Sequence, residues 1–337
     1  MVRINYVTFR YFIYFLFFLG FAFFYFIITN PIFGNIEKSN QIIDASKDNL
    51  YKHVKYLTDF EIQRTYYETK VLDKVADYIY KNFKDNGCDE VEFQKYIVRD
   101  KEYKNVICRF KGEGDKIIIG AHYDVYGEYV QIDNKMIFGI FKGADDNASG
   151  VAGLIELTRL VGVNKPNKNL EFVAYTLEEP PFFDSVNMGS YVHAKSLLDK
   201  GEKINFMISL EMIGVFGDDI IQNYQIRFQN RFYPKKGNFI ALVGELFDFK
   251  IRELKKSMIS NSTIPVESFN APKIIKGVDF SDHRSYWNLG YKAYMITDTS
   301  FLRNKNYHND FDTIDTLNFD KMTEVVKAIY GIISEAK

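Results

Sequence analysis

From Tyr11 to Ile28 the chain reads YFIYFLFFLGFAFFYFII, eighteen residues without a charge. A run that is apolar on every face has no polar side to turn to water, and this one is close to the length needed to cross a bilayer core. Arg3 and Arg10 precede it and no acidic residue occurs before Glu37, a bias that keeps the N-terminus in the cytoplasm. A cleaved signal peptide usually has an apolar region of about 7 to 15 residues that ends in a small-residue site. The exit here is TNPIFGN, where only Gly34 offers a weak cleavage position. The expectation is an uncleaved, single-pass transmembrane signal anchor over residues 1–30. Residues 31–337 then form a single domain on the extracytoplasmic side of the cell membrane.

The remainder reads as one folded unit. Of 337 residues 47% are apolar, and 43 Lys plus Arg stand against 44 Asp plus Glu, a formal charge of −1. Without its first 30 residues the chain loses two arginines and no acid, which leaves 41 basic against 44 acidic residues. A nucleic-acid binder needs a basic surplus concentrated in a patch or stripe, so no nucleic-acid partner is expected. Seven Pro and 21 Gly are too few for a collagen-like or low-complexity chain, and no repeat or linker divides it.

Helical periodicity over 40–57 and 68–85 is followed by short apolar strand-like runs that alternate with helical ones. Strands are expected at 117–121, 170–177, 206–212, 239–244 and 293–298. Helices are expected at 148–161, 188–199, 245–257 and 319–335. Such alternation predicts an α/β domain with a mainly parallel, buried sheet. The stretches 213–237 and 258–280 lack clear periodicity and read as loops near the site. Residues 91–98 and 104–110 read as a hairpin around RDKE that pairs Phe93 with Cys108 and leaves Cys88 too far along the strand for a disulfide. Two free thiols are the expectation.

The chemistry-bearing residues sit where the strands end. His122 follows IIIGA, Asp145 and Asp146 precede a helix in GADDNASG, Glu178 and Glu179 end LEFVAYTL, and Glu211 ends FMISL. In an open α/β sheet the carboxyl ends of the strands form the ligand crevice. A single His or Asp after a strand is more often a cap. Several carboxylates and a histidine in one crevice repel one another unless a cation offsets them, and zinc suits a mixed imidazole and carboxylate shell. Glu178 and Glu179, as neighbours at a strand end, point in different directions. One can hold metal while the other takes a proton from the attacking water.

GAHYD, GADDNASG, LEEPP followed by MGS, SLEMIG, SDH and YHNDFDT together resemble the co-catalytic zinc aminopeptidases of metallopeptidase family 28, from about residue 50 to the C-terminus. The resemblance implies a three-layer α/β sandwich of the zinc-dependent exopeptidase type, with a mixed, mainly parallel central sheet, and two Zn2+ ions per chain. It also implies roles. His122, Asp146 and Glu211 become ligands of one zinc, and Asp146, Glu179 and His308 of the other, with Asp146 bridging and Asp145 the lesser choice. Asp124 would orient the His122 imidazole, Glu178 would be the general base, and Asp312 would belong to the loop that fixes His308. Glu211 stands where many members carry Asp, one methylene longer than the commoner pattern. His283 reads as support at the site's rim, and His53 and His193 as ordinary surface or packing residues. Tyr126, Phe182, Phe183, Trp287 and Tyr307 neighbour the motifs but are more readily core than pocket.

The expected activity is a membrane-anchored zinc exopeptidase, most simply an aminopeptidase acting on peptide substrates. Two alternatives stand beside it: a one-zinc glutaminyl cyclase of the same family, and a non-catalytic receptor-like ectodomain, which should have lost ligand residues.

Overall fold

The computed structural model describes residues 6–127, 129–132, 135–138 and 141–336. Three helices come first: α1 (Tyr6–Thr29), α2 (Lys47–Thr58) and α3 (Thr69–Asp85). The strands β1 (Glu90–Val98), β2 (Lys101–Phe110) and β3 (Glu113–His122) lead to a small hairpin, β4 (Tyr129–Ile132) and β5 (Lys135–Phe138). Then come α4 (Gly150–Asn164), β6 (Lys168–Tyr175), α5 (Gly189–Asp199), β7 (Ile204–Glu211), β8 (Ile240–Glu245) and α6 (Lys250–Asn261). The chain ends with β9 (Val266–Ala271), α7 (His283–Asn288), β10 (Ala293–Thr297) and α8 (Phe319–Glu335).

Eight strands form one mixed sheet in the order β1-β2-β6-β3-β7-β10-β8-β9. The pairs β6/β3, β3/β7, β7/β10 and β8/β9 are parallel, whereas β1/β2, β2/β6 and β10/β8 are antiparallel. Alternation along the strands fills two cores. On β3, Ile117 and Ile119 join the larger apolar cluster with α2, α3, α4 and α8, while Ile118 joins a smaller one with Ala194, Leu197, Tyr286 and Trp287 of α5 and α7. The sheet is thus sandwiched between two helical layers, as a strand buried on both faces requires. Each fully buried large apolar side chain contributes about 1.5–3 kcal/mol.

Local chemistry sets several boundaries. The helix expected from residue 40 begins only at Lys47, because Ser46 Oγ accepts from Asn49 N (3.2 Å) and its own N–H donates to the buried Glu156 (2.7 Å). Such a cap stabilises a helix start by about 1 kcal/mol. The expected loop over 258–280 contains β9, whose sequence VESFNA lacks an apolar run.

The expectation of two free thiols is overturned: Cys88 and Cys108 form a disulfide with a Cα–Cα distance of 5.7 Å. The hairpin turns on two residues only, Arg99 and Asp100, both at positive φ, as the tight turns that match strand twist demand. Val91 therefore pairs with Cys108 and Phe93 with Val106. The chain before β1 is also not extended. Gly87, at φ 84°, turns it out of α3, and Asp89 N donates to Arg109 O at 2.9 Å, which sets Cys88 against Cys108.

From Tyr11 onward α1 carries no charge and is largely exposed, with Phe17 and Phe18 at 73% and 65%. It is the one described helix long and apolar enough to cross a membrane, over Phe9–Thr29.

Candidate metal centre

The carboxyl ends of β3, β6 and β7 meet the irregular turn 144–149 that opens α4, and there the sequence motifs converge. β3 ends on His122, whose Nε2 lies 3.4 Å from Asp146 Oδ1 and 3.3 Å from Glu211 Oε2. The other Asp146 oxygen, Oδ2, lies 3.1 Å from His308 Nε2, and that nitrogen lies 3.3 Å from Glu179 Oε2. Two groups of three result, His122–Asp146–Glu211 and Asp146–Glu179–His308, each with its potential ligand atoms within 4.8 Å of one another. Asp146 is common to both. Glu178 completes the cluster, its Oε2 3.9 Å from His122 Nε2.

Neighbouring residues hold these side chains in place. The Asp124 carboxylate accepts from the backbone N–H groups of Glu178 (3.2 Å) and Glu179 (3.1 Å), and its Oδ1 stands 3.7 Å from His122 Nδ1. The Asp124 backbone carbonyl lies closer, 3.3 Å from that nitrogen, so Asp124 ties the stretch after β6 to the imidazole through its carboxylate on one side and its carbonyl on the other. Asp312 lies in the loop that carries His308, its N–H donating to Asn309 O (3.2 Å), and its side chain reaches across to the turn that holds Asp146. Its two carboxylate oxygens accept from Asp145 N (2.9 Å) and Asp146 N (3.0 Å). Asp145 faces away from the cluster, accepting from Gly214 N and Asn304 Nδ2. The backbone at 143 is tight: Gly143 has φ 58°, and a Cβ there would collide with Asp146 O.

Sequence reasoning missed two positioning residues in GADDNASG. Asn147 donates to Leu210 O (2.8 Å) and accepts from Met212 N (3.0 Å), which fixes Glu211 between them. Ser149 Oγ donates to Asp145 O and accepts from Ile213 N. An Asn directly after the metal-facing Asp was the available signal, since its amide can bind a neighbouring strand end through both functions. His308 is stacked between Tyr307 (3.8 Å) and Tyr126 (4.1 Å). Of the other flagged aromatics, Phe183 and Tyr307 line the adjoining cavity. Phe182 packs instead on Tyr66, and Trp287 is buried with its indole N–H on Ala293 O. His283 is buried and bonded to Val278 O, outside both metal groups. His53 and His193 are buried packing residues, bonded to Tyr78 and Tyr286.

The electrostatics of the site favour cations. Burial raises Glu178, Glu211 and Glu179 above the usual carboxylate range, Glu179 to about 7, and neighbouring carboxylates push each of them further. Burial alone would strip the proton from His308, yet the charges of Glu179 and Asp146 raise it to about 10. His122 is likewise raised against its burial by Glu211 and Glu178, and Asp146 is lowered, against its burial, by both imidazoles. Four carboxylates crowded together and largely buried need compensating positive charge. Four buried polar atoms here, His122 Nε2, Glu179 Oε1, Glu211 Oε2 and His308 Nε2, have no hydrogen-bond partner. The donor set of imidazole nitrogen and carboxylate oxygen is the set zinc takes, so the residues present fit a pair of such ions.

A cavity of about 250 Å³ opens beside the cluster, with Asp146, Glu178, Glu179 and Glu211 at one end and apolar walls that include Phe239, Val243, Phe269 and Met295.

The chain is 42% identical over 296 residues to the uncharacterised protein YfbL of Escherichia coli K12, covering 87% of this chain and 89% of that one. It is 27% identical over 308 residues to a probable leucine aminopeptidase of Arthroderma otae, covering 87% and 73%. Among solved structures, LapB of Legionella pneumophila superposes with a TM-score of 0.65 at 22% identity, covering 86% and 72%. A glutaminyl cyclase of Tannerella forsythia shares the fold at 0.61 and 18%, covering 87% and 99%. The signature of peptidase family M28 matches residues 105–333, the stretch that supplies every residue of the two metal groups, and the chain belongs to that family, with its zinc exopeptidase fold.

Proposed function

We propose that the chain is a two-zinc aminopeptidase held at the membrane by α1, with its site on the extracytoplasmic side. The observation that carries the reading is the sharing of Asp146 between two complete groups. Zinc ions held by His122, Asp146 and Glu211 and by Asp146, Glu179 and His308 would polarise the scissile carbonyl and acidify the attacking water. Glu178, raised by burial and bound to neither group, takes the proton of that water and delivers it to the leaving amine. Asp124 keeps the base in position through the backbone of residues 178 and 179. The apolar cavity takes the side chain of the residue released, which favours substrates with a bulky apolar terminus.

The charge flanking the apolar run supports the orientation: Arg3 and Arg10 precede Tyr11–Ile28 in the sequence and no acidic residue precedes Glu37. The receptor-like alternative gains no support, because all five ligand positions hold coordinating side chains. The test is metal analysis of the purified full chain together with two substrates, a leucine anilide and a peptide beginning with glutamine. Two zinc ions and release of leucine are expected. One zinc with cyclisation of the glutamine would establish the cyclase instead.

A further inference from the structure

The last turn of α1 is built into the domain. Ile27, Thr29 and Asn30 are buried. Thr29 O accepts from Ser268 Oγ (2.8 Å) and Lys255 Nζ (3.3 Å), and Asn30 Nδ2 donates to Asn270 Oδ1 (3.1 Å). Ser268 and Asn270 both belong to β9, so the helix end is fixed against the edge strand of the sheet. The Arg252 guanidinium lies 5.1 Å over the Phe26 ring.

A second contact lies further along the helix. The segment 224–236, YQIRFQNRFYPKK, runs between β7 and β8 and places Phe228 and Phe232 against Phe21, at ring separations of 6.0 and 5.9 Å. Phe232 also meets Tyr25 at 5.2 Å. Phe21 precedes Thr29 by eight residues, which at about 1.5 Å per residue is about 12 Å along the axis. The charge-free run Tyr11–Ile28, eighteen residues or about 27 Å of helix, comes close to a hydrocarbon core of about 30 Å. Rings of the domain that reach Phe21 therefore stand at a depth inside the leaflet on the C-terminal side of α1.

The composition of the segment suits that depth. Ile226 and Phe228 are 43% and 51% exposed. Exposed Arg227 and Arg231 flank them, Lys235 and Lys236 follow, and no acidic residue occurs between Ile220 and Glu245. Apolar rings pointing into lipid beside long basic side chains that reach back to the headgroups are the pattern of an interfacial element, and anionic lipids attract such basic residues. We infer that residues 226–232 are immersed in the bilayer beside α1, with Arg227 and Arg231 on anionic headgroups, so that lipid holds the domain at two points and fixes its orientation. The inference rests on reading α1 as a membrane span. It bears on the substrate too, because Tyr224, Gln225, Gln229 and Tyr233 of this segment line the same cavity as Asp146, Glu178 and Glu179. The part of the cavity lined by this segment then lies at the lipid surface, where peptides with apolar residues concentrate.

The test uses the full chain in vesicles of phosphatidylcholine and phosphatidylglycerol, with Phe228→Trp or Ile226→Trp as depth probes. The native Trp287 is 5% exposed and serves as the internal reference. Ile97→Trp, at a site 66% exposed on β1, is the control. β1 and β9 are the two edges of the sheet, seven strand spacings or roughly 34 Å apart. Lipids brominated in the upper acyl chain should remove the emission added at 228 and 226 and leave that at 97 unchanged, in protein that floats with the vesicles. Floating protein with unquenched 228 and 226 probes, or with the 97 probe quenched equally, overturns the immersed segment and leaves the anchor standing. Protein that does not float overturns both.

Discussion

Asp146 Oδ2 lies 3.1 Å from His308 Nε2, a contact between the turn that opens α4 and a loop near the C-terminus. The same carboxylate faces His122 with its other oxygen, so one side chain serves both metal groups. Asp146→Ala is expected to abolish binding of both zinc ions, whereas Glu211→Ala should leave the Glu179–His308 side able to hold one. A ligand present at 100 to 1,000 times its dissociation constant stabilises by about 3–4 kcal/mol. The parent should therefore melt several degrees higher with saturating zinc than after chelation, and Asp146→Ala should show no such shift. Zinc content of two per chain in Asp146→Ala would refute the bridging role.

Glu178 lies in neither metal group but 3.9 Å from the His122 imidazole. Its replacement by Gln keeps the shape and removes the proton acceptor. The expected outcome is unchanged zinc content with kcat lower by roughly 10²- to 10⁴-fold, the usual worth of a positioned acid–base group. Loss of zinc in Glu178→Gln would make this residue a ligand instead, and parental kcat would remove it from the mechanism.

Most of the cluster was legible in the sequence because His122, Asp146, Glu178, Glu179 and Glu211 follow apolar strands or precede a helix, and a parallel sheet brings strand ends together whatever their separation along the chain. His308, on a loop, was reached only through the resemblance of YHND to the family motif. Positions held by backbone hydrogen bonds were less legible. The reach of Asp312 to the N–H groups of 145 and 146 depends on a loop path that no periodicity encodes. β9 was hidden for a different reason: it buries Ser268 and Asn270, which bond to the end of α1, where a strand usually buries apolar residues. The hairpin register failed on a turn of Arg99 and Asp100 at positive φ, where Asn or Gly is the ordinary signal.

The Cys88–Cys108 bridge closes a loop of 20 residues that links the end of α3 to β2. Loop-closure reasoning assigns such a crosslink about 3 kcal/mol. Cys88→Ser should lower Tm by on the order of 5–10 °C, and a reducing agent should lower the parent to the same value. Equal melting of parent and variant under oxidising conditions would show that the bridge does not form in the folded chain.

Two buried histidines outside the metal groups set a pH dependence. Burial lowers both His53 and His283 from 6.5 to about 4. Above pH 6.5 each is neutral whether the chain is folded or unfolded and contributes nothing. As pH falls below 6.5 the unfolded chain takes up the proton first, so stability declines until the folded groups also protonate near pH 4. A shift of this size corresponds to about 3 kcal/mol per histidine, as an order of magnitude. His53→Gln keeps a partner for the Tyr78 hydroxyl, which lies 2.8 Å from His53 Nδ1, and removes the titration. Urea unfolding of parent and variant at pH 7 and pH 5 isolates the effect, since the other groups cancel in the difference. The variant should lose less stability than the parent between the two pH values, and identical losses would show that His53 does not titrate with folding.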